Sequence, residues 1–181
     1  PDGTKMYVIG HTGQYVNEYN LSTAWSISTA SYSQHYSVGA MEGYPNGLFF
    51  KPDGTKMYHT GIQYDKVQEY DLSTAWDITT ASNLRAFSIS AQETDPTDVQ
   101  FKSDGTKMYI AGDAGADIIE YNLSTAWNIS TASYLQNLSV SAQDGQPESV
   151  IFRPDGSKMY VLGSLTDHVY EYNVGSLSTL T

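Results

Sequence analysis

The stretch Pro1-Asp2-Gly3-Thr4-Lys5-Met6-Tyr7 recurs three times further along the chain. The copy that begins at Pro52 is identical, and the copies that begin at Ser103 and Pro154 each differ from the first at one position. The four starts are separated by 51 residues each time, with no insertion or deletion. A period of this length is typical of architectures that stack one supersecondary unit many times. The sequence therefore predicts a repeat fold.

The second copy shows the predicted contents of one repeat. An apolar run over 47–51 ends at a Pro-Asp-Gly turn signal, and a returning strand follows over 56–61. Apolar and polar residues then alternate over 67–72 and again over 83–89, as expected of half-buried strands. No segment has a sustained helical pattern. Four such antiparallel strands, named A to D here, predict one blade of a β-propeller, and the main alternative is a β-solenoid.

Counted over the whole chain, the repeats predict an all-β fold of 14 strands, or 3.5 blades of four strands each. The predicted strands are A at 47–51, 98–102 and 149–153, B at 5–10, 56–61, 107–112 and 158–163, C at 16–21, 67–72, 118–123 and 169–174, and D at 32–38, 83–89 and 134–140. They define a single propeller segment over 1–181, with a partial blade 1 (1–38), blade 2 (46–90), blade 3 (97–141), a partial blade 4 (148–174) and a divergent tail (175–181).

The hairpin of Gly47-Leu48-Phe49-Phe50-Lys51 and the following Pro-Asp-Gly-Thr-Lys-Met-Tyr resembles the A–B hairpin of TolB-like and YVTN-type propeller repeats. The pairing of Tyr70-Asp71 with Trp76 after an apolar strand is similar to the kelch blade, although the kelch glycine doublet is missing after Gly61 and its equivalents. The resemblance covers nearly the whole chain and implies a propeller. It does not imply one activity, because these families include scaffolds, binders and some enzymes.

The acidic composition excludes several partners. A formal net charge of −11 and a pI near 4.5 argue against nucleic acid and against an anionic membrane surface. The sequence has no apolar run of the roughly 18 residues needed for a membrane span, and no cysteine for a disulfide or a thiolate. The repeats resemble those of bacterial and phage surface proteins, which favours an extracellular, cell-surface or virion location.

An open arc of blades exposes one blade face at each end. If about 400 Å² of apolar surface stays uncovered, the cost is about 10 kcal/mol, which rivals the stability of a typical domain. The faces could be covered by closure into a small ring, by a second copy, or by further blades of a longer propeller. We predict a homo-oligomer in which two chains close one ring of eight blade positions.

The four copies differ mainly in the loops at one end of the blades, which join strand B to C and strand D to A. We expect a ligand on this variable face because loops on rigid scaffolds carry function, although unconstrained drift would leave the same pattern. The candidate residues are His11, Tyr15, Tyr64, Asp65, Asp113, Asp117, Asp167, His168, Glu42, Glu93 and Asp144. The carboxylate oxygens of the Asp and Glu residues among them would suit a hard cation. No calcium-loop pattern is present, however, and we predict neither a metal nor a cofactor.

The C–D loops carry one tryptophan per copy, namely Trp25, Trp76 and Trp127. We interpret them as anchors for a ten-residue connection, with a sugar-stacking platform as the alternative. Other recurring residues have structural interpretations. The Asp of each Pro/Ser-Asp-Gly is expected to form an Asx turn, each strand-C Glu is expected to pair with a strand-B Lys, and His59 is expected to be satisfied or to face an edge.

No hydrolase motif is present, and the innermost strand offers few unique polar residues. The sequence therefore predicts a non-catalytic binding or structural module, not an enzyme, with a carbohydrate or protein ligand on the variable face. The alternatives are a multivalent carbohydrate-binding propeller and a metal-dependent hydrolase of the lactonase type.

Overall fold

A computed structural model describes residues 2–174 of the chain, apart from the side chains of Asn83 and Leu84. The tail predicted at 175–181 lies outside the described residues. The strands are β1 (Lys5–Gly10), β2 (Tyr15–Leu21), β3 (Ala30–Ser37), β4 (Pro45–Phe50), β5 (Lys56–Gly61), β6 (Lys66–Leu72), β7 (Ala81–Ser88), β8 (Pro96–Phe101), β9 (Lys107–Gly112), β10 (Asp117–Leu123), β11 (Ala132–Ser139), β12 (Pro147–Phe152), β13 (Lys158–Gly163) and β14 (His168–Asn173). Short 3₁₀ helices lie at Ile27–Thr29, Ile78–Thr80 and Ile129–Thr131.

The strands form four antiparallel meanders, which confirms the predicted all-β propeller-like fold. Blade 1 has the order β1-β2-β3, blade 2 β4-β5-β6-β7, blade 3 β8-β9-β10-β11 and blade 4 β12-β13-β14. The predicted bounds of strand B match the structure, and strand C begins one residue earlier than predicted. Strand A begins two residues earlier, at Pro45, Pro96 or Pro147, because a proline can open a strand without breaking the ladder.

The hydrophobic core lies between consecutive blades, around the innermost strands β4, β8 and β12. Side chains alternate across each strand, so every blade has a leading face toward the next blade and a trailing face toward the preceding one. Tyr7 on the leading face of blade 1 packs on Phe50 of blade 2, with ring centroids 4.4 Å apart. Tyr109 packs on Phe152 in the same way at 4.2 Å. The aromatic residues of strands A and B thus hold the arc together.

Each C–D loop is anchored on the Pro/Ser-Asp-Gly turn of its own blade. The backbone N–H groups of Trp25, Trp76 and Trp127 donate to the carbonyl oxygens of the turn glycines at 2.8, 2.9 and 3.0 Å. The indoles of Trp76 and Trp127 are half-buried, and Trp127 also packs beside Phe49. This supports the anchor interpretation for these two residues, whereas Trp25 is exposed.

The predicted Asx turns and Lys–Glu pairs are both present. The turn aspartates accept hydrogen bonds from the backbone two residues ahead, as Asp53 does from the Thr55 N–H at 3.0 Å. Lys5 pairs with Glu18 and Lys56 with Glu69, both at 2.6 Å, and the equivalent pairs recur in blades 3 and 4. These columns stabilise the hairpins, so their repetition has a structural cause.

His59 does not face an edge, which corrects one of the two expectations for it. The side chain is fully buried between blades 1 and 2, and its Nε2 lies 3.1 Å from the hydroxyl oxygen of Tyr70. Burial lowers the pKa of His59 to about 4, and the neighbouring Thr60 backbone offsets this only in part. The imidazole is therefore neutral in the folded protein at neutral pH.

We expect His59→Val to reduce the acid sensitivity of the fold. The unfolded chain binds a proton at His59 near pH 6.5 and the folded chain only near pH 4, so stability is lost as pH falls between these values. The loss should be about 2 kcal/mol between roughly pH 7.5 and pH 5. Urea midpoints of both proteins at the two pH values measure it. Equal pH dependence in the variant would contradict the assignment.

Candidate functional site

The first residues of the innermost strands meet around the propeller axis at the variable end. We call Asn46, Thr97 and Glu148 the axial rim, since they hold equivalent positions in β4, β8 and β12. The Asn46 side-chain amide donates to the Pro96 carbonyl oxygen at 3.0 Å, and the Thr97 hydroxyl donates to that of Pro147 at 2.6 Å. These bonds join adjacent blades, so the rim is a rigid platform.

Asp98 ties β8 to β12 directly below the rim. Its buried carboxylate accepts hydrogen bonds from the Val99 N–H at 2.8 Å, the Ser149 hydroxyl at 2.8 Å and the Val150 N–H at 3.1 Å. Burial raises the pKa of Asp98 in spite of these bonds. The position is Gly47 in blade 2, where an added Cβ would lie only 2.6 Å from the Val99 backbone nitrogen.

Asp113 lies beside the rim in the B–C loop of blade 3, among other carboxylates. Its backbone N–H donates to the Asp95 carbonyl oxygen at 3.0 Å. Its Oδ1 is buried and has no hydrogen-bond partner among the described residues. The pKa of Asp113 is raised to about 6. Burial is the largest cause, and the charges of Glu148, Asp95 and Glu93 raise the pKa further. A half-buried carboxyl group with this pKa can take up and release a proton near neutrality.

Sequence reasoning identified Asp113 but missed Asp95, Asp98 and Glu148. Each of the three is an acid in one copy only: the equivalents of Asp95 are Tyr44 and Gln146, and the equivalents of Glu148 are Asn46 and Thr97. An acid unique to one blade at an otherwise neutral position was the available signal.

Glu42, Glu93 and Asp144, predicted as ligand residues, are buried and join the two loops of one blade. Glu42 accepts from the N–H groups of Tyr44 at 3.0 Å and Gln63 at 2.9 Å. Glu93 and Asp144 bind the equivalent loops in blades 3 and 4. Their recurrence at intervals of 51 residues reflects this role. These carboxylate oxygens accept hydrogen bonds from backbone donors inside the loops, and a ligand role for the three residues stays a prediction.

The remaining predicted residues are spread over four loops, and the structure does not gather them into one site. Asp65 and Asp167 stand at the left-handed position of their loops, with φ of 50° and 58°, which Asp tolerates better than most residues. Exposed aromatic residues have local partners: Tyr15 packs beside His35, Tyr64 lies near the Lys66 ammonium, and His168 lies beside Tyr170. His11 hydrogen-bonds Asn46 on the axial rim. A ligand role for these residues stays a prediction.

Two recesses lie away from the rim. A polar recess of about 300 Å³ is lined by Gln92, Asp117, Tyr134 and Asn137, where the Asn137 amide donates to the Asp117 carboxylate. A larger apolar recess of about 870 Å³ between blades 3 and 4 is lined by residues that include Tyr109, Glu120 and Phe152. At the other two junctions the loops that carry Trp76 and Trp127 cover the corresponding positions. The larger recess therefore lies at the position that a C–D loop occupies at the other two junctions.

Within residues 2–174, no group of three or more His, Asp or Glu side chains is arranged to hold a metal ion. The same part of the chain has no helix long and apolar enough to cross a membrane.

Comparisons with known proteins identify the fold. Neither a protein-family model nor a curated protein matches the chain. Among solved structures, a putative 6-phosphogluconolactonase from Bacteroides fragilis matches with a TM-score of 0.67 and 14% identity, over 96% of this chain and 48% of its own. One from Bacteroides uniformis matches with a TM-score of 0.66 and 15% identity, over 98% and 52%. The periplasmic gluconolactonase PpgL of Pseudomonas aeruginosa matches with a TM-score of 0.61 and 15% identity, over 96% and 47%.

These matches define the chain as a β-propeller-like repeat protein. It spans about half the length of the solved structures that it matches. They also correct the expectation of a non-catalytic module, because several of the structures that share the fold carry the names of lactonases. At these identities the likeness shows the fold, and the reaction has to be argued from the site.

Proposed function

We propose that the protein contributes a hydrolase site for uncharged, sugar-derived lactones at the axial rim. The observation that carries the proposal is the half-buried Asp113 carboxyl group beside the axial rim, whose buried Oδ1 has no hydrogen-bond partner among the described residues. Burial and the carboxylates around it raise the pKa of Asp113 to about 6. The names of the structural neighbours support lactones as the substrate class. The charges of Asp95 and Glu148 beside Asp113 would repel an anionic substrate, which favours a neutral one.

Asp113 is assigned the general base. Its carboxylate takes a proton from a water molecule as the water oxygen attacks the lactone carbonyl carbon, which forms a tetrahedral intermediate. The ring C–O bond then breaks, and the proton passes from Asp113 to the departing ring oxygen, so the hydroxy acid leaves and the carboxylate is regenerated. A base with a pKa near 6 is largely ionised at neutral pH. Its pKa is also close to the working pH, so it can both accept the proton and return it.

We expect Asp113→Asn to lower kcat for hydrolysis of glucono-δ-lactone by about 100-fold, since an amide cannot accept the proton. The protein's rate above spontaneous hydrolysis should rise with pH through about 6 and then level off. Consumption of base at constant pH measures both, between roughly pH 5 and pH 7.5. Asp155→Asn is the matched control. It makes the same change in the Pro-Asp-Gly turn of blade 4, which lies at the other end of the blades from the loop that carries Asp113.

An acceleration that is unchanged in Asp113→Asn would reject the assigned base. The absence of any acceleration, in a sample whose assembly state is known, would reject the lactonase proposal.

We also infer that the repeats are of the YVTN and TolB-like type, with kelch-like features in strand C and the loop that follows. The A–B hairpin on its Pro/Ser-Asp-Gly turn and the indole packed on that turn support this assignment. A carbohydrate as binding partner is part of the same proposal, since the lactones in question are derived from sugars. Calorimetry with glucose, the uncharged parent sugar of glucono-δ-lactone, tests this binding independently of turnover.

A further inference from the structure

Within the described residues 2–174, the trailing side of blade 1 and the leading face of blade 4 have no neighbouring blade. Ile27 on the trailing side of blade 1 is 76% exposed, whereas its equivalents Ile78 and Ile129 are fully buried. Val169 on the leading face of blade 4 is 64% exposed, whereas its equivalents Val16 and Val67 are fully buried. Each exposed residue therefore belongs to a column that the adjacent blade covers elsewhere in the chain.

The junction between blades 2 and 3 shows how the two faces fit together. The Tyr58 hydroxyl of blade 2 donates to the Trp127 carbonyl oxygen of blade 3 at 2.7 Å. The Ile129 backbone N–H of blade 3 donates to Glu69 Oε2 of blade 2 at 2.9 Å. Trp127 also lies parallel to Phe49, with ring centroids 6.2 Å apart. The C–D loop of blade 3 thus supplies the indole that packs on blade 2. It also supplies the carbonyl oxygen that accepts from Tyr58 and the N–H that donates to Glu69.

Both halves of this junction are present on the free ends. The C–D loop of blade 1 carries Trp25 and Ile27 in the positions of Trp127 and Ile129. The leading face of blade 4 carries Tyr160 and Glu171 in the positions of Tyr58 and Glu69. The exposed end of blade 4 therefore has the chemistry that the exposed end of blade 1 requires.

We propose that the leading face of blade 4 binds the trailing face of blade 1 of a second copy of this chain, head to tail. Two such junctions, related by a two-fold axis along the ring, close eight blade positions and leave neither face uncovered. The lengths of the structural neighbours support a second copy as the occupant. Because the chain aligns with about half of each neighbour, two copies supply about as many residues as one neighbour does.

Sedimentation of the whole chain tests the proposal. The wild-type protein is expected to have about twice the mass of one 19.9 kDa chain. Ile27→Asp and Val169→Asp should each be monomeric, because a carboxylate would be buried at both junctions of the ring. Leu165→Asp is the matched control: Leu165 is 66% exposed in the B–C loop of blade 4, off both faces, and the variant should stay dimeric. Equal urea midpoints for the three variants at monomeric dilution confirm that they fold.

An equimolar mixture of the two monomeric variants distinguishes a head-to-tail contact from a symmetric one. The unaltered blade 4 of Ile27→Asp can bind the unaltered blade 1 of Val169→Asp, so the mixture should regain the dimer mass through one junction. A wild-type chain that stays monomeric at about 100 µM would overturn the proposal. So would an Ile27→Asp or Val169→Asp protein that remains dimeric, or an equimolar mixture of these two that stays monomeric.

Discussion

Replacing Glu69 by alanine is expected to lower the free energy of unfolding by about 4 kcal/mol. The carboxylate is fully buried and accepts from the Lys56 ammonium at 2.6 Å, the Arg85 guanidinium at 2.9 Å and the Ile129 N–H at 2.9 Å. Removing it leaves a buried N–H of the next blade without an acceptor and takes the shared anion from two cations. Asp71 still contacts both cations, which limits the loss.

Glu171→Ala is the matched control, since Glu171 is the same residue of the repeat in blade 4. It pairs with Lys158 on an exposed face, where an ion pair contributes about 1 kcal/mol or less. Both substitutions are best compared by urea unfolding in the monomeric Ile27→Asp background, so that association does not contribute. Similar losses at the two positions would show that the energy of the pair does not come from burial between blades.

Gly54→Ala is expected to destabilise the protein by about 4 kcal/mol through two separate effects. The residue has φ of +74°, a region that costs an alanine about 1 to 2 kcal/mol. An added Cβ would also lie 2.3 Å from Nε1 of the Trp76 indole, and relieving such a clash in a packed site costs about 1 to 3 kcal/mol. The Trp76 backbone N–H donates to the Gly54 carbonyl oxygen and the indole packs beside Phe50, so the indole cannot move aside freely.

Gly156→Ala separates the two effects within the same molecule. Gly156 occupies the equivalent turn with φ of +71°, but no atom of residues 2–174 lies within 4 Å of an added Cβ. This variant should therefore lose only the backbone contribution, about 1 to 2 kcal/mol. The difference between the two urea unfolding free energies measures the indole contact. Losses of the same size would show that the Trp76 loop adapts to the substitution.

The fold could be predicted from the sequence alone because each repeat contains local signals for its turns and strands. The Asp-Gly turn fixes where strand A passes to strand B, and period-two alternation fixes strands B and C to within one residue. The Lys–Glu pairs could also be predicted, since residues that recur together on neighbouring strands face each other. The predicted start of strand A was less accurate because a proline such as Pro45, Pro96 or Pro147 is a turn signal as well as a possible first residue of a strand.

The candidate site was only partly predictable, because its acidic residues each occur in one copy of the repeat and are replaced by other residue types in the remaining copies. The conspicuous acids Glu42, Glu93 and Asp144 turned out to bind loop backbone, whereas the charges that act on Asp113 come from Asp95 in another loop and from Glu148 on β12. Loop proximity of this kind depends on how three blades converge on the axis. No local pattern in one blade records it.

Turns and side-chain periodicity are local properties of the sequence, and they specify the blade, its strand order and the columns of residues that alternate between its two faces. Which member of each column is buried depends on the tertiary structure, because burial requires another blade alongside. Ile27 and Ile129 have the same sequence context, yet one is exposed and the other fully buried. The same physics raises the pKa of Asp113, whose neighbouring charges come from other segments of the chain.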